Sequence, residues 1–128
     1  MKHNLWNMFA NIKNGQKAKK SFIYHKKKKI AGNVLNILWE EGFILGYRIS
    51  KKRSGMFEIF LKYKNGNPVI KQLQGVSKPS LRVYYSAKQF WKVNSNSGLF
   101  IVSTNKGLMT NEKCKQLNLG GEVFLTIN

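Results

Sequence analysis

The pentapeptide Lys64-Asn65-Gly66-Asn67-Pro68 is the sharpest interruption in the chain. Asn and Gly reach positive φ at little cost, and proline fixes its own φ and withholds a backbone donor, so the stretch is turn chemistry in every position. It falls near the middle of 128 residues, of which 42% are hydrophobic. That is material for one compact body or two small lobes, and too little for several independent domains. The break therefore predicts two lobes, 1–66 and 67–128.

In the first half, Leu5, Met8, Phe9 and Ile12 recur at helical spacing, with Asn4 as a cap and Gly15 past the end, so residues 4–14 read as an amphipathic helix. A basic connector leads to a short strand over Ser21 to His25. Ile30, Val34, Leu35, Ile37 and Leu38 then define a second helix that stops at Gly42. Phe43 to Ser50 and Met56 to Tyr63 follow as strands joined by Lys51-Lys52-Arg53-Ser54-Gly55. The first lobe is expected to be αβαββ.

The second half alternates like sheet. Strands are expected near Val69 to Leu73, Ser80 to Tyr85, Leu99 to Ser103 and Glu122 to Ile127, with short helices near Ala87 to Val93 and Asn111 to Leu117, the latter capped by Thr110. The fold class is α+β, with a second lobe of mostly antiparallel sheet.

Charge narrows the partner. Lys and Arg number 23 against 5 Glu and no Asp, a net of +18 with a sequence pI near 10.2. A small domain stays soluble with a net charge of only about 2 to 8. The excess therefore points to a polyanion, nucleic acid or an anionic membrane surface. No stretch approaches the roughly 20 apolar residues that span a bilayer, which leaves nucleic acid as the partner and no membrane. The cations gather at Lys17, Lys19 and Lys20, at Lys26 to Lys29, and at Lys51, Lys52 and Arg53, all at connectors or helix starts of the first lobe.

Catalysis finds few groups. Glu40 and Glu41 adjoin on a helix end and point to different faces; His3 and His25 lie far in sequence from the lone Cys114, which reads as a buried thiol and rules out an internal disulfide. A nuclease using Glu58 or Glu122 with Mg²⁺ is the enzyme alternative, and a nucleic-acid-binding chaperone is an alternative binder. No cofactor, metal or small-molecule substrate is implied. No secretory signal is visible at the start, and 20 Lys against 3 Arg with abundant Asn fits an AT-rich genome, hence an organelle-encoded chain.

Ser103, Thr104 and Asn105 stand side by side at a strand tip, followed by Lys106 and Gly107. This is ordinary turn chemistry, and equally a set of neutral donors and acceptors suited to ribose hydroxyls and the minor groove of structured RNA. Arg82 and Tyr84 share one face of an expected strand and Tyr85 takes the other. One tyrosine packs and its neighbour is left to meet a base or ribose. Gly120 and Gly121 permit close backbone approach or form a turn.

Five blocks in order, Lys13 to Gln16, Val34 to Ile44, Val76 to Tyr84, Gly98 to Thr110 and Leu119 to Val123, resemble small-subunit ribosomal protein S-eight in its bacterial and organellar form. The resemblance implies a two-lobed, non-enzymatic primary binder of the central domain of small-subunit rRNA, which supports platform assembly beside neighbouring ribosomal proteins. It implies Ser103, Thr104, Asn105 and Lys106 as the RNA-facing tip, with Gly121, Glu122, Tyr84 and Arg82 close by. Asn14, Lys17, Lys27 and Lys29 are implied on the RNA backbone. Taken with the AT-rich composition, the expected location is an organellar ribosome, in the mitochondrial matrix ahead of the plastid stroma or a bacterial cytoplasm. Asn105 stands where the family usually has Ser, and Ser80 and Phe100 where it usually has Gly.

Overall fold

A computed structural model of the chain describes residues 2–77, 80–92 and 98–128. Lys78 and Pro79 of the third resemblance block, and Val93 at the expected helix end, lie outside these, as do the side chains of His3 and Asn4. The chain forms two compact units, Met1–Ile70 and Lys71–Asn128.

The first unit runs α1 (Lys2–Lys17), β1 (Phe22–Lys26), α2 (Lys29–Glu40), β2 (Ile44–Ile49) and β3 (Met56–Leu61), then a short hairpin of β4 (Tyr63–Lys64) and β5 (Asn67–Pro68). The αβαββ order is as expected. β3 pairs antiparallel with both β1 and β2, giving the order β1-β3-β2, so β1 and β2 run parallel with β3 inserted between them. The apolar stripe of α1 (Leu5, Met8, Phe9, Ile12) and that of α2 (Ala31, Val34, Leu35, Leu38) are buried together with Ile23, Phe57, Ile59 and Leu61 from the sheet.

Helix α2 ends as the sequence predicts. Gly42 takes φ +78°, its N–H bonds the Trp39 carbonyl at 3.0 Å, and the Phe43 N–H reaches back to Leu38 at 2.8 Å, a complete Schellman stop. Helix α1 does not end at Gly15. It continues to Lys17 and closes on Lys19 at φ +55°, with the Lys20 N–H on the Gly15 carbonyl at 2.9 Å. Gly15 serves a different purpose, because a Cβ there would come within 2.6 Å of Ile23 Cγ2 and 3.1 Å of Leu61 Cδ1. The missing side chain lets α1 lie close on the sheet.

The Lys64–Pro68 break is a tight hairpin in which Asn65 (φ +54°) and Gly66 (φ +80°) are both left-handed, the backbone that a two-residue reverse turn needs.

The second unit holds β6 (Leu73–Gly75), β7 (Tyr84–Tyr85), α3 (Ala87–Lys92), β8 (Leu99–Thr104), β9 (Gly107–Thr110), α4 (Asn111–Leu117) and β10 (Gly121–Ile127). β10 pairs with β8 on one side and with β6 and β7 on the other, and β9 pairs with β8; all are antiparallel. Three expectations change. The strand predicted over Val69 to Leu73 is Leu73–Gly75, and that over Ser80 to Tyr85 shrinks to Tyr84–Tyr85. β9, which is not among the expected strands, is a full partner of β8. Thr110 caps α4 as expected, its hydroxyl accepting from the Lys113 N–H at 3.2 Å. Ser86 and Gln89 form a reciprocal capping box on α3, at 2.8 and 3.2 Å.

The core here is Phe90, Phe100, Val102, Met109, Cys114 and Val123, with Val76, Tyr85 and Leu119 packed against it. Phe100 is therefore core, with its ring 5.9 Å from that of Tyr85. Cys114 is buried, as expected, and burial raises its thiol pKa.

Candidate RNA interface

Sheet register assembles the C-terminal candidates. Tyr84 of β7 pairs with Glu122 of β10, Glu122 pairs with Ser103 of β8, and Ser103 pairs with Leu108 of β9. Directly opposed residues in antiparallel strands share a face. Tyr84, Glu122 and Ser103 thus form a lateral row across three strands, although the sequence separates Tyr84 from Glu122 by nearly forty positions. Tyr84 is 60% exposed, while Tyr85, opposite Gly121, turns inward against Phe90 at 5.4 Å. Arg82 is exposed but precedes β7, so the strand face it was expected to share with Tyr84 is not formed.

One step beyond the row, β8 turns into β9 through Asn105 and Lys106, both exposed. The left-handed position in this turn is Gly107, at φ +110°, and not Asn105. The Thr104 hydroxyl closes the turn, donating to the Gly107 carbonyl at 2.8 Å and accepting from the Lys106 N–H at 3.1 Å. A hydroxyl has one proton and two lone pairs. Thr104 can still accept one bond from a ligand but cannot donate one. Among the described residues, no partner bonds the side chains of Ser103 or Asn105. The trio therefore divides: Thr104 holds the turn, and Ser103 and Asn105 present hydrogen-bonding groups beside Lys106.

Two supports hold this row: the glycine pair that the sequence offered for close approach or a turn, and a serine that it did not single out. A Cβ on Gly121 would run into the Ser103 carbonyl, and one on Gly120 would come within 2.7 Å of the Tyr85 carbonyl, so this glycine pair permits close approach of three strands. Ser77 is fully buried. Its hydroxyl accepts from the Val83 N–H at 3.0 Å and lies 2.7 Å from the Val123 carbonyl and 3.3 Å from that of Val83, pinning the approach to β7 onto β10. A lone serine next to a lysine and a proline in the sequence carries no signal for that role.

The first unit carries 15 Lys and Arg against 3 Glu, a net of +12, and the second 8 against 2, a net of +6. Asn14 lines a groove of about 710 Å³ with Asn11, Lys20, Ser21, Tyr24 and Arg53. The Arg53 guanidinium lies 4.5 Å from the Tyr24 ring centre. Lys17, Lys27 and Lys29 are exposed and do not line this groove. Lys28 and Lys29 open α2, whose first turn has no acidic residue. Cations at the positive end of a helix are unfavourable unless an anion offsets them. Glu58 is not available as a metal ligand, because it is buried and bonded by Arg48 at 3.1 Å.

A family model described as Ribosomal protein S8 matches residues 3–128. Proteins named small ribosomal subunit protein uS8 are similar across almost the whole chain. That of Hahella chejuensis is 40% identical over 99% of this chain and 98% of its own. That of Wigglesworthia glossinidia brevipalpis is 39% identical over 91% and 90%, and that of Rhodopseudomonas palustris 40% identical over 94% and 92%. A match of this extent brings with it a structural, non-enzymatic role in the small ribosomal subunit. The α+β architecture and the cationic surface agree with it, and the chain belongs to the ribosomal protein S8 family.

Proposed function

We propose that the chain is a primary binder of the central domain of small-subunit rRNA, and that it supports assembly of the platform. The observation that carries the reading is the row of Tyr84, Glu122 and Ser103 ending at the exposed Asn105-Lys106 turn. The row presents an aromatic face, a carboxylate acceptor and neutral hydrogen-bonding groups on a rigid sheet, a set suited to an irregular RNA helix read from its minor groove. Ser103 donates to or accepts from a ribose 2′-hydroxyl, and Asn105 reads a base edge. Glu122 accepts from a base amine or a 2′-hydroxyl, and Tyr84 stacks on a base or ribose. Gly121 keeps the row flush, and Lys106 and Arg82 contact phosphate.

Affinity comes mainly from the first unit, through Asn14, Lys17, Lys27 and Lys29 on the backbone, since phosphate contacts position an RNA without specifying it. The mitochondrial location rests on composition, 20 Lys against 3 Arg; the relatives named above are bacterial and favour neither compartment.

The test is competition binding of the full chain to a central-domain rRNA fragment against a scrambled duplex of equal length at moderate salt. The cognate fragment is expected to win by at least tenfold, and Asn105→Ala to lose about 1 to 3 kcal/mol of that preference. Equal affinity for both RNAs would end this reading.

A further inference from the structure

The chain holds 20 lysines, yet none falls between Ile30 and Ser50, a stretch with one Arg and two adjacent Glu. That Arg, Arg48, is paired with Glu58. The stretch folds into most of α2 and all of β2, and β2 is an edge of its sheet. Between them lies an open groove of about 580 Å³ lined by Asn36, Trp39, Tyr47, Ile49 and Phe57, among others. Tyr47 makes its floor, edge-on to Phe57 at 5.4 Å, with its hydroxyl donating to Asn36 at 2.7 Å. Trp39 is 54% exposed, Ile49 55% and Leu45 63%, the last pushed outward by the β-bulge between Ile44 and Gly46. Large apolar side chains grouped beside an unpaired strand edge mark a place where another chain adds on.

We infer that this groove and the β2 edge dock an extended apolar segment of a second protein, cationic at the end that meets Glu40 and Glu41 and neutral or acidic at the end that meets Lys51 and Lys52. The chemistry selects this occupant. RNA is disfavoured because the stretch from Ile30 to Ser50 holds no lysine and offers two carboxylates, while the cations that reach it are engaged, Lys62 on the Gly42 carbonyl at 3.1 Å and Arg48, which lines the groove, on Glu58 at 3.1 Å. A second copy is disfavoured because two chains of net +18 repel. An extended segment fits because β2 supplies a free row of backbone groups alongside the pocket, the arrangement that strand addition uses. That the second protein belongs to the same particle rests on the ribosomal reading.

The experiment places a benzophenone amino acid at Leu45 or Ile49 of the full chain, incorporates it into small ribosomal subunits, irradiates, and maps the adducts. The same substitution at Asn105 serves as the control. Residues 45 and 49 lie about 13 Å apart along a strand. The two adducts should fall on one protein about four residues apart, with the Leu45 adduct at the Lys- or Arg-bearing end. A spacing of about nine residues would mean a helix and overturn the extended occupant. Adducts to rRNA, to a second copy or to no macromolecule would overturn the proposal outright. Trp39→Glu combined with Ile49→Lys should lower the protein adduct formed from position 45 about tenfold while the Asn105 adduct with rRNA stays within about twofold. A missing rRNA adduct at Asn105 with the position 45 and 49 adducts present would count against the RNA-binding reading and leave the groove standing.

Discussion

Replacing Ser77 with alanine removes one oxygen from a site with no solvent exposure. Three groups depend on that oxygen: the Val83 N–H at 3.0 Å, the Val123 carbonyl at 2.7 Å and the Val83 carbonyl at 3.3 Å. The Val83 carbonyl keeps its bond from the Val123 N–H at 2.9 Å, so its loss is minor. The Val83 N–H is left without its acceptor, a penalty of about 1 to 3 kcal/mol, and the donated bond adds about 1 kcal/mol. Some relaxation brings the expected total to about 2 to 3 kcal/mol. For a domain the size of the second unit each kcal/mol shifts the melting temperature by about 4 to 8 °C, so Ser77→Ala should melt about 10 to 20 °C lower by circular dichroism. Because the same oxygen ties the segment before Tyr84 to β10, affinity for cognate rRNA should also fall at temperatures where the variant is fully folded. A melting shift under about 3 °C with unchanged affinity would refute the assignment of Ser77 as the tie between β7 and β10.

Phe100→Gly empties a core position; truncating a buried Phe costs about 3 to 5 kcal/mol and glycine in a strand about 0.5 to 1 more. Urea unfolding should show it as a near-complete loss of cooperative folding in the second unit. Lys27→Ala should leave discrimination between cognate and scrambled RNA intact and reduce the slope of log K against log salt by up to about 0.7 to 0.9; a change in discrimination would count against the division of roles. Burial raises the pKa of Cys114 above the ordinary thiol range, so the folded chain keeps that proton to higher pH than the unfolded chain. Its contribution to stability is complete at neutral pH and is lost as pH rises from the unfolded thiol pKa through the raised folded value. Denaturation midpoints of wild type and Cys114→Ala across that alkaline range should converge as this contribution disappears.

What could be read from sequence was local. The stripes of α1 and α2, the stop at Gly42 and the cap at Thr110 depend on residues within one or two turns of each other. Gly15 was misread because a glycine past a helix end and one inside a helix pressed on a sheet look alike until Ile23 and Leu61 are brought against it. β9 was missed because Gly107 and Thr110 carry turn and cap signals, and its pairing with Ile101 to Thr104 outweighs them. Alternation separated Tyr84 from Tyr85 without saying which was buried; the packing of Tyr85 against Phe90 and Phe100, rings that the sequence does not place beside it, decides it. Ser103 and Asn105 were legible as candidates, whereas the use of Thr104 within its own turn needed the positions of Gly107 and Lys106.

The proposed division between charge and shape has a physical basis in where the two kinds of group can be held. Lysine clusters lie on connectors and a helix start of the first unit, where long flexible stems follow phosphates over several ångströms and tolerate any sequence. Discrimination needs groups fixed to a few tenths of an ångström. The second unit supplies that through β10, which is paired on both sides and holds the Tyr84, Glu122 and Ser103 row in register. A flexible lysine in place of Ser103 would add attraction for every RNA equally. A short hydroxyl on a central strand adds it only where a partner atom stands opposite. The third surface, on α2 and β2, follows the same logic in reverse on the proposed reading: with no lysine between Ile30 and Ser50 it attracts RNA least and is left for a protein.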